Sequence, residues 1–226
     1  DIICLQEIES KQALKLLANK LPKYKYSYFY KKPKSAIGLS IISKYPIINT
    51  KIISVQKYNP RSRDILKTTL LINNKKLIIF INHWRSEKAS ESTRVPYAIA
   101  LMKHIKTLNS NDDYIILGDL NSNYNEYKTF KYIKKLNNTS NITAINQILN
   151  TTINNKLVSR DDILNYNQIV HYNLWLDKRR DLRYSYIFRG SKETPDNIII
   201  SKGLFDTQNI SYINNSFDVL YSKKQS

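Results

Sequence analysis

Cysteine is nearly absent. The single Cys4 excludes an intrachain disulfide and argues against a thiolate metal cluster, and its apolar surroundings read as a small buried hydrophobe. Glycine is scarce too, with four in 226 residues, and Gly38 and Gly118 belong to no loop of the phosphate-cradling kind. No apolar run approaches the roughly 20 residues of a membrane span, so stable membrane insertion is not expected. Acidic residues are few, 18 Asp and Glu against 36 Lys and Arg, which leaves a net charge of +18. Such a charge concentrates polyanions and makes nucleic acid the first partner to consider. The chain is also rich in Asn, Ile, Lys and Tyr, as AT-rich coding alone would impose, so charge by itself does not decide.

What is present is a soluble globular balance, 42% hydrophobic and 24% charged, with no composition break asking for a second domain. Ile2 to Leu5 reads as a short buried strand. A helix follows, capped by Ser10, with Ala13, Leu14, Leu17 and Leu21 on one face. "KYKYSYFY" (Lys23 to Tyr30) alternates as a half-buried strand at or near an edge. "IGLSIISKYPI" is a strand broken at Pro46, and "NNKK" marks a hairpin between two strands in the stretch Ile65 to Trp84. Ser92 to Leu108 returns to helical spacing, with Pro96 tolerable in its first turns. A strand at Tyr114 to Leu117 and an amphipathic helix over Asn125 to Leu136 come next. The Asn-rich stretch Asn137 to Asp181 has no clear period, and "LRYSYIFRG", "DNIIIS" and "ISYINNSFDVL" read as closing strands. Strands and helices mix without the regular alternation of a doubly wound sheet.

Four strands share one design, an apolar run with chemically capable residues at its tip. "IICLQE" ends at Glu7, "LIIFINHW" at Asn82 and His83, "YIILGDLN" at Asp119 and Asn121, and "TPDNIIIS" begins at Asp196 and Asn197. As sheet neighbours they would gather carboxylates, amides and an imidazole on one rim. Those groups suit a hard divalent cation with few protein ligands, an activated water and a phosphate. Taken singly, His83 could be structural, Glu7 a solvated strand end and Asp119 a turn residue after Gly118. His104 and His171, in a helical pattern and a polar stretch, and Trp84 and Trp175 read as structural residues. Arg85 and the rest of "RSEKASESTR", directly after His83, are placed to follow a phosphate backbone.

"LQEIE", "GLSIISKYPI", "NHWRS" with "ESTR", "GDLNS", and "YSYIFRG" before "PDNIIIS" occur in the order expected of the endonuclease/exonuclease/phosphatase superfamily. The chain resembles these deoxyribonuclease I-like hydrolases, most of all their bacterial nucleases, over nearly its whole length. The resemblance implies an α+β fold, a four-layer α/β/β/α sandwich of two packed mixed sheets flanked by helices. It implies Glu7 as metal ligand, His83 on the scissile phosphate, and Asp119 with Asn121 positioning the water and binding phosphate. Asp196 would orient a second histidine. Arg63, Arg85, Arg94, Asn82 and Asn197 stand as substrate-binding residues. The cofactor implied is Mg²⁺, with Mn²⁺ or Ca²⁺ as alternatives.

Two family segments, an Asn-ending first strand and a final Ser-Asp-His motif, do not occur in residues 1–226, so a domain cut at both ends is expected. Asn197 stands where His commonly follows the aspartate. The expected activity is metal-dependent hydrolysis of nucleic acid with little base specificity, by a monomer that is secreted or periplasmic. The alternatives are a phosphoesterase on another substrate, such as a phospholipid head group or inositol phosphate, and a nucleic-acid-binding relative without chemistry.

Overall fold

A computed structural model describes residues 1–60, 62–86, 89–130 and 133–220. The chain runs β1 (Ile2–Ile8), α1 (Lys11–Asn19), β2 (Tyr26–Tyr30), β3 (Gly38–Ser43), β4 (Ile47–Ile53), β5 (Ile65–Ile72), β6 (Lys75–His83), α2 (Val95–Ile105), β7 (Tyr114–Asp119) and α3 (Glu126–Thr129). A π-helical turn (Ala144–Ile148) precedes β8 (Thr152–Ile153), β9 (Lys156–Leu157), α4 (Arg160–Asn165), β10 (Tyr172–Asn173), β11 (Tyr186–Phe188), β12 (Ser191–Glu193) and β13 (Asp196–Ile200).

Two sheets form the body. The larger has the order β10-β13-β7-β6-β5-β4 and is mixed, because β6 and β7 are parallel while its other neighbours are antiparallel. The smaller, β1-β3-β2, is antiparallel throughout, so only one of the two expected mixed sheets is mixed. Alternation along β6 explains the layering. Ile78 and Phe80 join Tyr97, Leu101 and Ile105 of α2 in one core, whereas Leu77, Ile79 and Ile81 join Leu39 and Ile41 of the smaller sheet in another. A strand covered on both faces reads as a continuous apolar run, which is what "LIIFI" is. With α1 packed on β1 and β2, the layers are α1, small sheet, large sheet, and α2 with the π turn. This is the expected α/β/β/α order.

Local signals act as written. Ser10 Oγ accepts the Ala13 N–H at 3.1 Å at the start of α1, and Pro96 sits in the first turn of α2. Asn73 and Asn74 both adopt positive φ, 48° and 62°, in the two-residue link of the β5–β6 hairpin.

Three readings are corrected and one is located. Strand β1 belongs to the small sheet, so the four tip-bearing strands are not all neighbours in one sheet. The helix expected over Asn125 to Leu136 is the single turn α3 in the described residues; Lys131 and Tyr132 lie outside them. "LRYSYIFRG" supplies the expected strand, β11, which among the described residues pairs with β12 in a hairpin apart from the two main sheets. "ISYINNSFDVL" forms no strand within its described residues; Phe217 packs on Trp175 and Tyr212 bonds Asp177, so side chains rather than a ladder hold it.

Candidate active site

The parallel pairing of β6 with β7 puts His83 opposite Asp119, and the antiparallel pairing of β13 with β7 puts Asp196 opposite Asp119 as well. Three neighbouring strands therefore end their ladders in one row of chemically capable residues. Glu7 arrives from the facing sheet. The β1–β3 register slips between Leu5 and Ile8, and Glu7 takes φ 60° inside that bulge. A bulge re-aims a side chain, and a non-glycine residue held at positive φ is strain of the kind found at functional sites. Glu7 Oε1 and Asp119 Oδ2 each lie 3.6 Å from His83 Nε2.

The turn after β7 is equally constrained. Gly118 adopts φ 123°, and a Cβ there would lie 2.1 Å from the Asn82 carbonyl oxygen, so only glycine lets β7 run this close to β6. Asn121 follows at φ 47°, its N–H donating to Asp119 Oδ1 at 2.9 Å and its Nδ2 to the Trp84 carbonyl at 3.3 Å. Arg63 Nη1 donates to the same carbonyl at 2.5 Å.

Burial sets the protonation states. Desolvation, reinforced by the Arg63 charge, holds His83 down to about 4. The imidazole is thus neutral at pH 7, and its 3.6 Å approaches to Glu7 and Asp119 are polar contacts rather than ion pairs. Desolvation lifts the Asp119 carboxyl to about 6, with Asp196 and Glu7 adding to the rise and the Asn121 N–H and Arg63 opposing it. A partly desolvated carboxylate with a pKa near neutrality is suited to take a proton from water.

Several predicted residues sit elsewhere. Asn82 is fully buried, with Nδ2 donating to the Phe80 and Leu117 carbonyls and Oδ1 accepting from Trp84 Nε1. Asn197 is buried as well, donating to the Ser122, Thr194 and Pro195 carbonyls and accepting from Asn173. Both amides tie strand ends together and have no face left for a substrate. Arg94 is 0% exposed; Nε and Nη2 donate to Glu91 Oε2, and Nη1 donates to the Ala89 and Ser86 carbonyls. It secures the loop after His83 from beneath. Arg85 is exposed and Arg63 half-buried, and both line the cleft beside His83.

Trp84, Trp175, His104 and His171 are structural, as their patterns imply. Trp84 stacks on Tyr97, and Trp175 Nε1 donates to the Asp196 carbonyl at 2.7 Å. His171 is sealed, bonding the Tyr114 hydroxyl and the Leu149 carbonyl, and His104 packs edge-on to Phe80. Two groups went unread in the sequence. The cluster of Glu91, Arg94 and Glu126 is buried, and Lys32 and Lys34 of "KKPK" border the His83 cleft. The lysine run was the only signal for the second, and of the first only Arg94 was read, as a substrate contact.

Among the described residues no three His, Cys, Asp or Glu side chains are gathered so as to encase a metal. The donor set fits Mg²⁺ nonetheless, since that ion keeps most of its waters and is bound through one or two carboxylates. Glu7 is such a carboxylate, with its side chain 68% exposed beside His83.

A model of the endonuclease/exonuclease/phosphatase family matches residues 1–164. No curated protein matches the sequence. Among solved structures, a humanized D. rerio TDP2 is similar, with 14% identity and a TM-score of 0.60 over 89% of this chain and 70% of that one. The human Nocturnin catalytic domain aligns at 16% identity and TM-score 0.60, over 89% and 69% of the two chains. The 3′ phosphatase NExo from Neisseria, bound to a product DNA hairpin, aligns at 13% and 0.57, over 90% and 77%. At these identities the likeness is one of fold.

Proposed function

The chain belongs to the endonuclease/exonuclease/phosphatase family, whose members are phosphoesterases and nucleases, and from that premise we propose that it is a divalent-metal-dependent phosphodiesterase acting on nucleic acid. The observation that carries the reading is the meeting of Glu7, His83 and Asp119 within 3.6 Å contacts at the tips of strands from two sheets. A surplus of 18 positive charges favours a polyanionic substrate over a small neutral ester.

In this reading the neutral His83 donates an N–H to a non-bridging phosphoryl oxygen. Asp119 orients the attacking water and accepts its proton, held in place by the Asn121 N–H on its other oxygen. Asn121 and Arg63 bear on the phosphate, each steadied by donating to the Trp84 carbonyl. Glu7 would hold the cation, which when bound supplies Lewis-acid stabilisation of charge on the phosphate. The backbone-directed contacts give little base specificity.

The test is cleavage of plasmid DNA and of RNA with and without EDTA, for the parent and for Asp119→Ala. Cleavage that survives EDTA, or that survives loss of the carboxylate, would sink the mechanism.

A second reading has one specific support. Tyr186, Ile187 and Phe188 are 50%, 50% and 44% exposed on the β11–β12 hairpin, beside Asp196. An apolar tip of this kind suits a lipid surface, so faster turnover on phospholipid vesicles than on plasmid DNA would favour a phospholipid head group as substrate.

A further inference from the structure

A cleft of about 280 Å³ opens beside His83, between the loop joining β2 to β3 and the segment ahead of β5. Its rim carries Lys32, Lys34, Arg63 and Arg85. Lys32 is anchored by donating to the Ser62 carbonyl at 2.8 Å, and an ammonium has further protons to give. Lys34 is exposed and held at φ 65°. The cleft also carries an acid. Asp64 is 6% exposed; its Oδ2 accepts from the Tyr30 hydroxyl at 2.5 Å, while its buried Oδ1 has no hydrogen-bond partner. A buried carboxylate oxygen left unpaired is open to a donor from a water, an ion or a ligand.

Four cations and one orphaned acceptor in a single cleft describe a ligand carrying both a phosphate and a nearby hydrogen-bond donor. On the nucleic-acid reading of the adjoining site, on which this inference rests, we propose that the cleft holds the nucleotide next to the scissile phosphate. Lys32 and Lys34 bind that nucleotide's far phosphate, and Asp64 Oδ1 accepts from its sugar hydroxyl or base N–H. Arg63 and Arg85 line this cleft together with His83, which joins it to the site. The loop lysines thereby fix which way the strand lies across the site.

The experiment measures binding of a fluorescently labelled single-stranded 12-mer, as DNA and as RNA of the same sequence, by anisotropy in EDTA across a salt series. The double variant Lys32→Ala/Lys34→Ala should bind about tenfold more weakly at low salt, with a shallower salt slope by about 0.7 for one lost phosphate contact. A charge-matched control, Lys11→Ala/Lys15→Ala on the exposed side of α1, should lose much less. Equal losses in the two double variants would overturn the subsite and leave only diffuse attraction by net charge.

Asp64→Asn gives a second arm with opposed signs. The amide keeps its oxygen toward Tyr30 and turns its NH₂ into the cleft, so binding of pyrophosphate, which offers no such donor, should tighten. Binding of the oligonucleotide should weaken at least threefold. A larger loss for RNA identifies the sugar 2′-hydroxyl as donor, and equal losses for RNA and DNA identify a donor common to both. Tighter binding of the oligonucleotide as well would overturn the role given to Asp64. If EDTA-sensitive cleavage persists while the lysine arm fails, the subsite falls and the phosphodiesterase reading stands.

Discussion

Replacing Glu126 by glutamine should make the protein more stable at pH 8 and leave it little changed at pH 5. Glu91, Arg94 and Glu126 are 0%, 0% and 4% exposed, so two carboxylates share one guanidinium out of reach of water. Glu91 takes two of its N–H groups and also accepts the Ala144 N–H, while Glu126 Oε1 stands 3.9 Å from Arg94. Glu91 holds the guanidinium more closely, with its own carboxyl raised by burial and drawn back down by Arg94 and the Ala144 N–H, and desolvation with the Glu91 charge lifts Glu126 to about 7 from its ordinary 4.5. A raised acid binds its proton more tightly folded than unfolded. Its stabilisation is complete below pH 4.5 and is lost as pH climbs to about 7. Over that interval, at about 1.4 kcal/mol per pH unit, the loss is about 3 kcal/mol. Glutamine mimics the protonated acid at every pH. Urea unfolding of parent and Glu126→Gln across pH 4 to 9 should give curves that converge in acid and separate by up to about 3 kcal/mol in base. Parallel curves would refute the argument. In the same assay Arg94→Met, which strands both acids, should cost about 3–5 kcal/mol at pH 8.

Asp119→Asn should lower kcat by about 10²–10⁴ with a much smaller change in KM, because the amide can still receive the Asn121 N–H but takes no proton from water. Gly118→Ala forces a Cβ to within 2.1 Å of the Asn82 carbonyl at a φ of 123°, and denaturant melts should show a loss of at least about 2 kcal/mol together with reduced activity. Tyr114→Phe removes the hydroxyl that bonds His171 Nε2 at 2.8 Å in a fully buried setting, and should cost about 1–3 kcal/mol while leaving cleavage rates unaltered below the melting transition.

The fold was legible wherever a single element decides its own periodicity. The strands β3 and β5 to β7, the Ser10 cap, the Asn-Asn hairpin and the start of α2 are local events, and the residues announce them. Sheet membership is a different matter. Nothing in "IICLQE" distinguishes a neighbour of β7 from a strand facing it, since both bury alternate apolar residues against the same core. The same limit governed the site. Glu7, His83 and Asp119 were legible because each ends an apolar run with a reactive side chain, and the protein brings them within 3.6 Å contacts across two sheets. Asn82, Arg94 and Asn197 share those runs or loops and face inward instead, and pattern cannot tell the two directions apart at a strand end, where a bulge such as that at Glu7 re-aims one residue. Direction has a physical signature only once partners are known. Asn82 and Asn197 each satisfy both amide ends within the protein, whereas Asp64 leaves one oxygen unpaired beside the cleft. At these three positions hydrogen-bond completeness tells the amides that close the fold from the acid beside the cleft, a distinction that hydrophobic pattern does not draw.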